Sequence, residues 1–204
     1  IEIGLLELLQ TFGSPDWERS LRAYHSSVKA LTERNAAYRP TEKVPVTLPS
    51  GTRVHLSPGG QNHLIRRVVE EFGASFTPGG EVLYIGDAAQ KWAVFDGNRF
   101  EELGIRLDPH GKMPDVVIFH AERNWLVLVE AVTSHGPIDD TRRNQLIKLF
   151  EGIELQLLFV TAFLSRQAMA QYLQTLSWET EVWVAESPSH LIHFDGQQFL
   201  EQDA

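Results

Sequence analysis

Two stretches near the middle of the chain, Asp115–His120 (DVVIFH) and Trp125–Val132 (WLVLVEAV), are apolar at almost every position. A half-solvated strand alternates apolar and polar residues, so runs this continuous predict strands covered by helices on both faces. The polar residues 121–124 between them predict a hairpin loop. Upstream, Trp17, Leu21, Tyr24, Val28 and Leu31 recur at helical spacing behind Ser14 and Pro15, which predicts a helix over 14–39 with Ser14 as N-cap. Residues 40–57 hold Pro40, Pro45, Pro49 and the Ser50-Gly51 turn signal, and predict an extended connector or short hairpin. A second helix is predicted from Ser57-Pro58 to Gly73, with Leu64, Ile65, Val68, Val69 and Phe72 on its apolar face. Strands are predicted over 82–85 and 92–95, separated by a Gly86-Asp87 turn and followed by a turn at Asp96-Gly97. After the central hairpin come a helix from Asp139 or Asp140 to Phe150, a strand over 155–163, a helix over 165–175 and a strand over 181–185. The order helix, three strands, helix, strand is that of an α/β domain of the α+β kind with a mixed sheet. The predicted organisation is an N-terminal helical segment, 1–43, and a larger domain, 44–204.

Composition narrows the class. The 204 residues are 43% hydrophobic, enough for one cored domain without cross-links. Cysteine is absent, which excludes disulfide frameworks, thiolate nucleophiles and Cys-ligated zinc. No apolar run approaches the roughly 18 residues of a membrane span, and no basic, apolar leader opens the chain, so the expectation is a cytoplasmic protein without membrane contact. The first residue is Ile1, and residues 1–43 are also open to reading as the tail of an upstream specificity domain. Charge is uneven: residues 1–100 carry 11 basic and 11 acidic side chains, while 101–204 carry 7 and 16. The overall −9 argues against nonspecific coating of nucleic acid, though not against a local basic cleft around an acidic pocket.

The chemistry concentrates in the central hairpin. If His120 pairs with Trp125 across the four-residue loop, the same register sets Asp115 opposite Glu130. Directly opposed residues have Cβ atoms about 4.5–5.5 Å apart, and two carboxylates there repel unless a proton or cation lies between them. A divalent metal meets that requirement, and a hard oxygen set suits Mg²⁺. The competing reading makes Asp115 a strand-start cap after Pro114 and lets Glu130 end its strand toward solvent. A glycosidase also pairs carboxylates, but directly opposed strand residues leave little room for a sugar.

Met113-Pro114-Asp115 followed by Glu130-Ala131-Val132 resembles the PD-(D/E)XK nuclease signature, whose core is a helix, a three-stranded antiparallel meander, a helix and a further strand. The strings LSPGGQNHL (56–64), VLYIGDAAQK (82–91), LGIRLDPHGKMPDVVIF (103–119), LVEAVTSHGPI (128–138), TEVWVAESPSHLIHF (180–194) and DGQQFL (195–200) are similar to the BsuBI/PstI family of type II restriction endonucleases. The likeness covers roughly residues 44–200, and EAVTSHGP is its specific element. It implies a PD-(D/E)XK restriction-endonuclease-like core and a Mg²⁺-dependent enzyme that hydrolyses double-stranded DNA at a short palindrome of the CTGCAG type. A palindrome is most simply read by a homodimer. Asp115 and Glu130 would then be the metal ligands, with the carbonyl of Ala131 as a further oxygen. This chain departs from the pattern in two places. Gly59-Gly60-Gln61 stands where the family has more basic or His character, and Val132 occupies the signature Lys position.

Because residues i and i+2 of a strand share a face, the signature Lys normally reaches the same site as the Glu. Val cannot orient water or stabilise a phosphorane, so another cation must enter the pocket or the site is inert. Lys112 and Arg142 are the favoured substitutes among Lys91, Lys112, Arg142 and Arg143. Glu71, bordering the apolar face of its helix, and Asp87, in a turn, are candidate supporting carboxylates; the competing readings are an ordinary solvated charge for Glu71 and an ordinary turn residue for Asp87. His135 is a candidate DNA or water contact. Arg66, Arg67, Arg142 and Arg143 are candidate phosphate contacts. His190 and His193 are expected to be structural, and Trp125, Trp178 and Trp183 to be core. Two other functions share these residues: a repair or structure-selective nuclease, and a DNA-binding relative that has lost catalysis.

Overall fold

The computed structural model describes residues 6, 8–26, 42–87, 89–105, 111–133 and 135–195. The chain divides into two compact units, Ile1–Thr41 and Glu42–Ala204. In the first unit, the helix predicted from Ser14 starts three residues later and runs over 17–26, and its predicted continuation to residue 39 lies outside the described residues. The Ser14 hydroxyl donates to the Thr11 carbonyl at 2.7 Å and so belongs to the preceding turn. Phe12 packs edge-on against Trp17.

The second unit begins with a hairpin, β1 (Val44–Thr47) and β2 (Arg53–Leu56), in the segment expected to be a connector or hairpin. Its apolar side chains Val44, Val46 and Leu56 are buried against the first helix, α1 (Gly60–Arg67). That helix starts three residues after Ser57. It does not stop at Gly73, as predicted, but widens into a π-helical segment, Val68–Phe72, and closes with a short α2 (Gly73–Phe76). Gly73 is right-handed here, and its neighbours Phe72 and Phe76 stack on one side, so tertiary packing overrides its breaker tendency.

A seven-stranded mixed sheet forms the rest: β3 (Glu81–Asp87), β4 (Lys91–Phe95), β5 (Val116–His120), β6 (Trp125–Val132), β7 (Gln156–Phe163), β8 (Glu181–Val184) and β9 (Leu191–His193), in the order β4-β3-β5-β6-β7-β8-β9. The pairs from β4 to β6 are antiparallel, β6–β7–β8 are parallel, and β9 returns antiparallel. Parallel pairing of β6 with β7 requires a crossover, and α4 (Asp140–Leu149) supplies it. A short α3 (Gly97–Glu102), capped by Asp96, occupies what the sequence presented only as a turn. The helix expected over 165–175 is confined to α5 (Arg166–Ala170), capped by Ser165, with turns beyond it.

The continuous apolar runs are explained by the two layers. Odd-numbered residues of β6, Val127, Val129 and Ala131, pack with α1 and the β1–β2 hairpin, whereas Leu126 and Leu128 pack with Ile138, Leu146 and Phe150 on the α4 side. All five residues of β5 are buried. Trp183 is fully buried as expected, but Trp178 is 69% exposed and is no core residue: it follows the α5 turns at the sheet's β9 end, where its ring meets Phe194.

Candidate active site

The hairpin register is the one the loop length predicts, with His120 on Trp125 and Val116 on Val129. Asp115 lies one residue beyond the last paired position, on the face shared by Val117, Phe119 and the even residues of β6, and so on the face of Glu130. It is not an idle strand cap. Its Oδ2 accepts the Ala131 N–H at 2.8 Å and its Oδ1 accepts Nε2–H of Gln61 at 2.8 Å. Glu130 is turned inward, not toward solvent. Arg142, in the first turn of α4, donates from Nε to Glu130 Oε1 at 2.7 Å, and a terminal nitrogen donates to the Met113 carbonyl at 3.0 Å. The Asp139 cap accepts the Arg142 N–H at 2.7 Å and fixes the turn from which that side chain extends. Only 11% of the Arg142 side chain and 13% of the Glu130 side chain are exposed.

The electrostatics follow from burial and from like charges side by side. Burial pushes the Asp115 carboxyl up, against opposing hydrogen bonds from Ala131, Gln61 and Glu130 and the charge of Lys112. Burial and then the neighbouring Asp115 push Glu130 up to about 7, although Arg142 and Lys112 pull the other way. A salt bridge therefore fails to keep Glu130 fully ionised, because desolvation and carboxylate repulsion together outweigh one guanidinium. Both shifts favour a proton held between the two carboxyls, and their oxygens are hard donors. Among the described residues no third His, Asp or Glu joins them. That set fits a Mg²⁺-like ion, which takes one or two carboxylates and fills its octahedron with water and phosphate oxygens. Tyr84 walls the site; burial and both carboxylates hold its phenol above its ordinary range.

Val132, at the signature Lys position, is 4% exposed and packs with Phe163, Leu176, Val182 and Val184. An ammonium placed there would be stranded in an apolar cluster. Cationic charge reaches Glu130 instead from Arg142, and reaches both carboxylates through the exposed Lys112.

Asp87 and Lys91 line a cavity with Asp115, and Glu71, Arg66, Arg67 and Arg143 have partners outside the pair. Glu71 sits in the π-helical segment and is bound by Arg67 through two hydrogen bonds of 2.6 Å, while Arg67 also donates to the Ala185 carbonyl. Asp87 spends Oδ2 on the Ser57 N–H at 2.6 Å and Oδ1 on the Ala89 N–H at 2.8 Å, and it is held below the usual carboxylate range by those bonds despite its burial. It is a backbone anchor with both oxygens engaged. Lys91, at φ +67°, lies over the Trp92 ring and lines a small cavity with Asp115. His135 is exposed just beyond β6. Arg143 pairs with Glu179 at 2.7 Å over the Phe159 ring, and Arg66 faces Glu70 at 3.8 Å. His193 pairs with Glu181, and His190 contacts Ser189, in keeping with structural roles. The residue that sequence reasoning missed is Gln61. Its only signal was its place in the departing Gly59-Gly60-Gln61 string.

A family profile described as the BsuBI/PstI restriction endonuclease domain matches residues 44–197. The chain belongs to this family. It is 46% identical over 200 residues to the type II restriction enzyme BsuBI of Bacillus subtilis, covering 98% of the chain and 63% of that protein. It is 32% identical over 203 residues to the type II restriction enzyme AplI of Arthrospira platensis, covering 96% of the chain and 62% of that protein. Its fold matches the structure of SdaI restriction endonuclease with a TM-score of 0.73 and 44% identity, over 95% of the chain and 61% of that one. The chain thus spans about three-fifths of the length of the relatives it matches. Its mixed sheet, antiparallel through β6, parallel from β6 to β8 and antiparallel again at β9, is the PD-(D/E)XK type of fold expected from the sequence.

Proposed function

We propose that this chain is the catalytic part of a type II restriction endonuclease that hydrolyses phosphodiester bonds of double-stranded DNA at a short palindrome, of the CTGCAG type. The observation that carries the reading is the largely buried Asp115–Glu130 pair with Arg142 seated on a Glu130 oxygen. Asp115, Glu130 and the carbonyl of Ala131 would hold Mg²⁺, which when bound acidifies a water and neutralises charge on the scissile phosphate. Arg142 takes over the duty of the signature Lys. Its guanidinium is held between Glu130 and the Met113 carbonyl, and a planar donor there would bind phosphate oxygens as charge develops. Lys112 adds positive potential from the exposed rim. Arg66, Arg67 and Arg143 each face a carboxylate within the chain, so each would have to exchange that partner for a phosphate to serve as a DNA contact. Two copies related by a two-fold axis would present two such sites to the two strands. Among the described residues no helix is long and apolar enough to cross a membrane, and we place the enzyme in the cytoplasm with its DNA substrate.

Digestion of a plasmid rich in short palindromes tests the proposal. The expected result is discrete fragments in Mg²⁺, none in EDTA and none with Asp115→Ala or Glu130→Ala, with fragment ends that define one palindrome. The burial of Val132 favours one other reading, a DNA-binding relative without catalysis. Duplex binding with no cleavage in Mg²⁺ or Mn²⁺, by this chain and by a chain as long as its relatives, would establish that reading instead. Cleavage confined to flaps or junctions would indicate a structure-selective nuclease.

A further inference from the structure

We propose that Gln61 is a positioning residue that presets Asp115 for the metal, acting from a helix start that Asp87 and Asn62 hold in place. The inference rests on the reading of Asp115 as a metal ligand. An aspartate on its own rotates about two side-chain torsions, and here both oxygens are fixed: Oδ2 by the Ala131 N–H and Oδ1 by the Gln61 amide, each at 2.8 Å. The bonds from Ala131 and Gln61 take one lone pair of each oxygen, and a cation that displaces the hydrogen bond from Glu130 finds the others free. The donor is a neutral carboxamide. A Lys or protonated His at the same place would compete with the metal for the carboxylate, whereas an amide N–H orients the ligand without adding positive charge.

The rest of the helix start serves this aim. Gly59 adopts φ +155°, a conformation open to glycine, and turns the chain into α1 so that Gln61 faces Asp115. The loop before it is gripped at Ser57: Asp87 accepts the Ser57 N–H at 2.6 Å, and Asn62 donates to the Ser57 carbonyl at 2.7 Å. Asn62 and Asp87 are only 3% and 5% exposed, so two buried polar side chains are committed to fixing one loop residue. Gln61, Asn62, Asp87 and Asp115 line one cavity of about 180 Å³. The network links the end of β3 to Asp115 through the start of α1.

Ligand-supporting residues of this kind change metal affinity by about 10- to 100-fold. The test is Mn²⁺ titration of the wild-type chain, Gln61→Ala, the similarly sized Gln61→Met and Asp115→Ala, with melting temperatures in EDTA and kcat and KM on duplex DNA. Both Gln61 variants are expected to bind Mn²⁺ about tenfold more weakly and to lose kcat in step, with KM for DNA and melting temperature unchanged. Wild-type Mn²⁺ affinity in a folded Gln61 variant, with binding abolished by Asp115→Ala, would overturn the role of Gln61 alone. A raised KM at unchanged kcat and Mn²⁺ affinity would make Gln61 a DNA contact and overturn it as well. Failure of the wild-type chain to bind Mn²⁺, or undiminished binding by Asp115→Ala, would overturn the reading of the site itself. The affinity arm decides the question whether or not this chain cleaves DNA unaided.

Discussion

Replacing Glu130 by Gln should make the metal-free protein more stable in alkaline solution. Burial and the adjacent Asp115 push the Glu130 carboxyl from its ordinary 4.5 to about 7 in the folded chain. A carboxyl whose folded pKa is raised contributes stability that is complete below the unfolded value and lost as pH rises through the folded one. Over that window the unfolded chain releases a proton that the folded chain still holds. At ~1.4 kcal/mol per pH unit, the loss between pH 5 and pH 8 amounts to about 3 kcal/mol. Gln at this position keeps an Oε1 to accept from Arg142, and its amide can donate to Asp115 in place of the shared proton. The variant gives up the charge opposite Arg142, which reduces the net gain at pH 8 to roughly 2 kcal/mol. Urea unfolding in EDTA at pH 5, 6, 7 and 8 measures both proteins. Wild type should lose about 3 kcal/mol across the range while Glu130→Gln loses less than about 1, with equal denaturant slopes. A wild-type stability that is flat or rises from pH 5 to 8, or an identical decline in the variant, would refute the assignment of a shared proton.

Three further outcomes follow from the same contacts. Arg142→Ala leaves Glu130 buried without its partner; it should cost about 3 kcal/mol at pH 8 and abolish cleavage, measured by denaturation and single-turnover assay, with only partial rescue by Arg142→Lys because an ammonium cannot span Glu130 and the Met113 carbonyl. Asp87→Ala frees the Ser57 and Ala89 N–H groups and should cost about 2 kcal/mol at neutral pH. Because the folded pKa of Asp87 is lowered, that difference should be present above the ordinary carboxylate range and shrink as pH falls through the lowered value, visible as converging unfolding curves. Mg²⁺ and Mn²⁺ affinity should rise between pH 6 and 8, with about one proton released per ion near pH 6.5; calorimetry in buffers of different ionisation enthalpy reads this directly.

The central hairpin was legible in the sequence because its information is local. Two apolar runs and a four-residue loop fix both burial and register, and the register alone brings Asp115 to Glu130. The helix beyond β6 was equally legible, since Asp139 caps it and Gly152 follows it. Arg142 could be named as a cation near the site because it lies in the first turn of that helix. Its seat on Glu130 depends on how the crossover packs, which no spacing reports. Gln61 meets Asp115 across 54 positions of sequence, and nothing in the local pattern distinguishes it from a solvated helix-start residue. The same applies to Arg67 and Arg143: as sequence they are free cations, and in the fold they face Glu71 and Glu179. Gly73 and Asp96-Gly97 misled for the opposite reason. Their local signals are genuine, but packing of Phe72 and Phe76 carries the helix through the first, and the Asp96 cap makes the second the start of a helix.

Mn²⁺ binding followed by electron paramagnetic resonance tests the central claim most directly, because it requires neither DNA recognition nor turnover. The account predicts that the wild-type chain sequesters Mn²⁺ at pH 7.5, and that Asp115→Ala and Glu130→Ala each lose the site while remaining folded. Undiminished Mn²⁺ binding by the folded Asp115→Ala/Glu130→Ala double variant would contradict it.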